Sequence, residues 1–299
     1  MTTAAAIPDT APKSANELAT GKGSTDENFP VASVLIAPRH RPVVMSFYRF
    51  ARVADDVADS EEAAPALKLA LLEDMRAGLT GESVKNPEGV DLRRTLAAHG
   101  LTDQHALDLL EAFRRDVTKL RYDDWADLMD YCRYSASPVG RFVLDVHGED
   151  RALWPMNDAL CSALQVINHL QDCGKDRRSL DRVYIPLDRL RAAGIGVEAL
   201  DEAKASPALR KIIADLARET YALLDIARPF AGKVKDGRLA LEIGVIQALA
   251  EDLCKGLMTR DPLSENTHHS KPQMALMALA ALLKTGWART SLSRIGGRR

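Results

Sequence analysis

FYRFARVADDVAD, residues 47–59, sets the fold and the chemistry together. Phe47, Phe50, Ala51, Ala54 and Ala58 recur every three or four residues, the period of an amphipathic helix, and Pro42 just upstream suits a first-turn position. Asp55 and Asp59 lie four residues apart on that helix, so both carboxylates share one face with Cβ atoms roughly 5 to 6 Å apart. A second pair, Asp172 and Asp176, has the same spacing within LQVINHLQDCGKD, residues 164–176. A solvated helix carries such a pair at a cost of only about 0.2 to 0.5 kcal/mol. Here both acidic turns continue largely apolar helices, which is not how solvated faces are built. Two charges about 6 Å apart repel by about 3 kcal/mol at an effective dielectric of 20, so pairs facing an interior call for a counter-charge. Oxygen ligands without cysteine or histidine favour Mg²⁺, which shares its remaining positions with water and substrate phosphate. Two such faces across a cavity would hold a diphosphate.

The rest of the second helix supports an internal polar stripe. Gln165, Asn168, Asp172 and Asp176 fall at i, i+3, i+7 and i+11, interleaved with Leu164, Val166, Ile167 and Leu170. Asn168 offers a neutral oxygen one turn before Asp172; His169 lies off the stripe and reads as a supporting or surface residue. Arg52 shares the face of Asp55, either as an ion-pair partner or as a bidentate donor to diphosphate oxygens. Arg182 and Tyr184, in the loop DRVYIP of residues 181–186, are placed to close over the same anion or to remain solvated. In YCRYSASPVG, residues 131–140, Pro138 predicts a kink in a helical pattern. Ser135, Ala136 and Ser137 would thin one wall for a long chain, while Tyr131 presents a π face to a cationic intermediate.

Elsewhere the pattern is helical almost throughout, over about 61–78, 103–118, 123–147, 157–173, 207–230, 237–258 and 272–285, with breaks in 80–91, 176–186 and 259–272. No strand alternation is sustained and no long repeat is visible. The architecture expected is a single all-α bundle with its polar site inside, spanning 27–290 between a disordered tail of 1–26 and a basic tail of 291–299. A net charge of −2 with scattered Lys and Arg gives no footprint for nucleic acid. Cys132, Cys161, Cys173 and Cys254 form no metal-ligand spacing and read as reduced thiols of a cytoplasmic protein. GKGSTD, residues 21–26, lacks the preceding strand and full pattern of a nucleotide loop. The longest apolar run, Met274 to Leu283, is far short of the roughly 20 residues that span a bilayer, so any membrane contact would be peripheral.

FYRFARVADDVAD, YCRYSASPVG, LQVINHLQDCGKD and DRVYIP, in this order and spacing, resemble the trans-isoprenyl diphosphate synthases of the squalene and phytoene synthase type. ENFPVAS at 27–33 and SASPVGR are most similar to the hydroxysqualene synthases of hopanoid pathways, and Ser137–Pro138 departs from the small wall of a plain phytoene synthase. The resemblance implies an isoprenoid synthase bundle with a central cavity. It implies Mg²⁺ ligation by Asp55, Asp59, Asn168, Asp172 and Asp176, with Arg52, Gln165, Arg182, Tyr184 and the late Lys271 near the diphosphate. Tyr131, Ser135 and Phe29, joined by Tyr48 and Ser137, would contact the prenyl chains. The implied reaction converts presqualene diphosphate to hydroxysqualene, in functional coupling to a presqualene diphosphate synthase. The alternatives are head-to-head condensation of farnesyl diphosphate to presqualene diphosphate or squalene, and a non-catalytic isoprenoid binder.

Overall fold

Pro42 opens the first helix in its first turn, and the chain is helical nearly throughout from there. The computed structural model describes Ala15 and residues 35–296, with side chains through Trp287. Phe29, ENFPVAS and the tail predicted for 1–26 therefore lie outside the described residues, Ala15 excepted. The helices are α1 (Arg41–Asp59), α2 (Pro65–Thr80), α3 (Pro87–His99), α4 (Gln104–Thr118), α5 (Trp125–Cys132), α6 (Ser137–Val146), α7 (Trp154–Gln171), α8 (Cys173–Leu180), α9 (Leu187–Ala192), α10 (Pro207–Ala227), α11 (Phe230–Lys233), α12 (Gly237–Leu257) and α13 (Lys271–Gly296). Among the described residues there is no strand, only a single bridge between Arg121 and Val183. Local chemistry starts and stops the helices. Asn86, Asp124, Ser206 and Asp236 cap α3, α5, α10 and α12 through their side chains, while Gly81 and Gly100 end α2 and α3 at positive φ.

Two apolar clusters build the interior. Helices α1 to α4 bury Phe50, Val57, Leu72, Met75, Leu92 and Leu110, and helices α5 to α12 bury Leu128, Val166, Ile167, Ile213, Leu224 and Leu257. Each such side chain contributes roughly 1.5 to 3 kcal/mol of transfer free energy. Phe142 of α6 joins the first cluster by stacking on Phe47 of α1, with ring centroids 4.0 Å apart. α13 packs on the opposite side of α12 through Val245, Leu249 and Ala281.

The structure revises four readings of the sequence. The helix expected over 123–147 is two: α5 stops at Cys132, and Pro138 lies in the first turn of α6, where its missing N–H costs nothing, so it starts a helix and does not kink one. The helix carrying Gln165 to Asp176 divides at Asp172 (φ −97°, ψ 7°), although Asp172 N–H still donates to Asn168 C=O and Asp176 N–H to Asp172 C=O. α3 begins and α8 ends inside regions read as breaks, and α9 lies where no helix was expected. α13 runs on to Gly296, well past the end expected near residue 285.

Candidate active site

A cavity of about 470 Å³ lies between the two clusters. α1 lines it with Phe47, Tyr48, Ala51, Arg52 and Asp55, α4 with Leu109 and Phe113, and α6 with Val139, Gly140, Phe142 and Val143. α7 contributes Asn157, Leu160, Cys161, Leu164, Gln165 and Asn168, and α12 contributes Leu239, Glu242, Ile243 and Ile246. The walls are thus mostly aliphatic and aromatic. Arg52 and Asp55 near the C-terminal end of α1, and Gln165 and Asn168 near that of α7, give the cavity a polar end. Gly140 is required by the close approach of α6 to α7: a Cβ there would collide with Asn157 Oδ1 and lie 2.8 Å from Cys161 Sγ.

Arginines already neutralise the first acidic turn. Arg52 reaches Asp55 at 3.1 Å and the buried Asp56 at 2.6 Å. Arg182, itself buried, pairs with Asp59, donates to Ala58 C=O at 2.9 Å, and through Nε donates to Asp116 C=O at 3.0 Å. Burial raises the Asp55 pKa, and repulsion from Asp59 raises it further, while Arg52 opposes both. The second pair lies at the α7–α8 junction. His268 Nε2 is 3.7 Å from Asp172, and His169 Nδ1 is 3.9 Å from Asp176. Gln165 Nε2 is 2.9 Å from His169 Nε2, and a donating Gln165 leaves the imidazole proton on Nδ1, facing Asp176.

Beneath the acidic end is a buried polar cluster that the sequence reading missed. Asp116, in the last turn of α4, accepts hydrogen bonds from Tyr131 and Tyr184, each at 2.9 Å. Burial pushes its pKa up to about 6 even though Arg182 and both phenols pull it down. Tyr184 stacks on His169 at 3.4 Å, and Tyr122 and Tyr131 complete the aromatic group. Burial raises the pKa of all three tyrosines, so they stay protonated, and Tyr131 and Tyr184 remain the donors to Asp116.

Three expectations about site residues need correction. Tyr131 is buried against Asp116 and does not line the cavity; its helix points the ring into the cluster below. Ser137 is also turned away, its hydroxyl donating to Cys132 C=O at 3.1 Å across the break between α5 and α6, whereas Ser135 does line the cavity. Lys271 is exposed in the first turn of α13, and the late basic side chain beside the acidic junction is His268. Asp116 and Glu242 were both findable, because each interrupts an apolar helical stripe: Leu109, Phe113 and Asp116 on α4, and Leu239, Glu242, Ile243 and Ile246 on α12.

The donor set fits a hard divalent cation: oxygen alone, an Asp55 carboxyl held above its ordinary pKa by burial and by the charge of Asp59, and neutral Asn168 one turn before Asp172. Among the described residues, the grouping of three metal-ligand types within 4.8 Å of one another is His40, His147 and Asp236, where Arg39 already donates to His40. The four aspartates remain as two pairs. That suits a cation which takes one or two carboxylates and completes its shell with water and phosphate oxygens.

An all-α bundle with an apolar cavity and two paired-aspartate turns is the architecture of an isoprenoid synthase. The chain belongs to the squalene/phytoene synthase family, whose model matches residues 23–273. It is 58% identical to the hydroxysqualene synthase of Zymomonas mobilis over 88% of this chain and 90% of that one, and 54% identical to that of Rhodopseudomonas palustris over 90% and 92%. Among solved structures it is similar to the squalene synthase HpnC of Alicyclobacillus acidocaldarius, at a TM-score of 0.68 and 34% identity over 81% of this chain and 91% of that one. A dehydrosqualene synthase shares the fold at a TM-score of 0.71 and 21% identity, over 86% and 90%. The protein is accordingly an enzyme of this family, one that acts on prenyl diphosphates.

Proposed function

We propose that the protein converts presqualene diphosphate and water to hydroxysqualene and diphosphate, in a Mg²⁺-dependent reaction. The observation that carries this reading is identity above one half, over about nine-tenths of both chains, to two proteins named hydroxysqualene synthase. Asp55, Asp59, Asn168, Asp172 and Asp176 would hold the metal, which when bound supplies Lewis-acid neutralisation of the departing diphosphate. Arg52 and Arg182 donate to diphosphate oxygens, and Gln165 orients His169 beside Asp176. Phe47, Phe113, Phe142, Ile243 and Ile246 exclude bulk water around the carbocation. Ser135, the hydroxyl of the SAS segment that faces the cavity, holds the water that forms the new C–O bond.

Head-to-head condensation or squalene formation is the second reading, favoured by the 34% identity to a protein named squalene synthase. Purified protein incubated with Mg²⁺ and presqualene diphosphate should yield a C30 alcohol and diphosphate in equal amounts, with farnesyl diphosphate left unconsumed. Products are identified by mass. Consumption of farnesyl diphosphate, or a hydrocarbon product formed only with a reduced nicotinamide, would replace the first reading with the second.

A further inference from the structure

α13 is apolar on two opposite sides. Met274, Met277, Ala278, Ala281 and Leu282 face α12, where they pack with Val245, Ala248 and Leu249. On the other side, Leu276, Leu279, Leu283 and Trp287 follow at intervals of three, four and four residues, which at 3.6 residues per turn places all four on one narrow stripe. They remain 71%, 57%, 68% and 75% exposed. A helix apolar on both sides is normally buried on both. Four large apolar side chains in register along a helix amount to a contiguous patch that marks an interaction surface.

Charge indicates the occupant. From Asn266 to the C-terminus the sequence contains Lys271, Lys284, Arg289, Arg294, Arg298 and Arg299 and no Asp or Glu, so the remainder of the chain holds 34 basic against 42 acidic residues. A net −8 body thus carries a +6 final segment. An apolar helical stripe within a basic segment, with a tryptophan at one end, has the composition of a helix that lies in the interface of an anionic bilayer. No helix among the described residues is long and apolar enough to cross a membrane, so the contact is interfacial. α12, the helix on which α13 rests, walls the cavity with Leu239, Ile243 and Ile246. We propose that the Leu276–Leu279–Leu283–Trp287 stripe docks the enzyme on an anionic lipid surface, leaving the opposite side of α13 packed on the wall of the prenyl cavity.

The test is cosedimentation of the full chain with phosphatidylcholine vesicles containing or lacking phosphatidylglycerol, without substrate, so that its outcome is independent of the reaction proposed above. Binding to the anionic vesicles, weakened by salt, is expected, together with a blue-shifted tryptophan emission that is lost in Trp287→Phe. Leu279→Asp combined with Leu283→Asp should weaken binding about tenfold or more while the melting temperature stays within a few degrees, because both side chains are exposed. Wild-type protein left in the supernatant, or a double variant that binds as the wild type does, overturns the proposal. Equal binding to both vesicle types overturns its anionic part. A wild-type dimer that the double substitution converts to monomer, with no vesicle binding, would assign the stripe to a second copy of the chain.

Discussion

Asp116 is buried, accepts from two phenols, and lies beside a guanidinium, yet its pKa stands at about 6, because loss of hydration outweighs those partners. A carboxyl whose folded pKa is raised contributes stability that is present below its unfolded value, near 4, and lost as the pH rises through about 6. The melting temperature of the wild type relative to Asp116→Asn should therefore fall between pH of about 4 and 6 and level off above, for a total of at most about 3 kcal/mol. A difference that is flat with pH would mean that Asp116 ionises as if solvated. The two serines of the SAS segment separate in the same way by environment. Ser135→Ala should shift the product from alcohol toward hydrocarbons formed by proton loss, with diphosphate release changed less than about tenfold. Ser137→Ala should leave the product ratio unchanged and cost about 1 kcal/mol of stability through the lost bond to Cys132 C=O. Gas chromatography against total diphosphate distinguishes them. In the sequence both hydroxyls looked alike, since two residues apart on an assumed continuous helix says nothing about which one meets the cavity once the helix ends between them.

At the scale of elements, periodicity located α1, α4, α7, α10 and α12 to within a few residues, because each carries a long apolar stripe. It failed where a helix is short or starts inside a turn-like string. α3 begins at the Pro87 of NPEG, and α8 is CGKDRRSL, which has almost no apolar face and is held by its junction with α7. The chain leaves α8 at Asp181, a non-glycine residue at φ 51°, where Arg121 and Arg177 both pair with its carboxylate. Gly140 is the element-scale position with the sharpest expected effect. Gly140→Ala should lower the melting temperature by an amount equivalent to about 1 to 3 kcal/mol, since the new methyl group meets Asn157 and Cys161 in a packed contact between α6 and α7. Tolerance of alanine with unchanged melting would imply that the two helices can separate without cost, contrary to the packing described.

For the whole molecule, the two aspartate pairs, far apart in sequence, were legible because their spacing and apolar surroundings repeat, although of the four only Asp55 lines the cavity, together with Asn168 of α7. The basic partners of the pairs were only partly legible: Arg52 is one turn away from Asp55, but Arg182 reaches Asp59 across 123 residues, and His268 reaches Asp172 from the far end of the chain. The pairing of Arg52 and Arg182 with the first acidic turn has a thermodynamic consequence. A divalent cation arriving alone must compete with two guanidinium groups for the same carboxylates, and diphosphate arriving alone meets the carboxylates as like charges. If, as proposed, Asp55 and Asp59 hold a metal while Arg52 and Arg182 turn to diphosphate oxygens, each ligand would raise the affinity of the other by one shared coupling free energy. Mg²⁺ alone and diphosphate alone should each move the melting temperature little, while the two together move it by more than their sum, and Asp55→Ala or Asp172→Ala should abolish both that excess and turnover while leaving helicity intact. Under the proposed reaction, reciprocity of this kind would make the enzyme its own gatekeeper: the charge that drives ionisation would assemble only around a substrate that brings a diphosphate, and the first acidic turn would otherwise stay paired with Arg52 and Arg182.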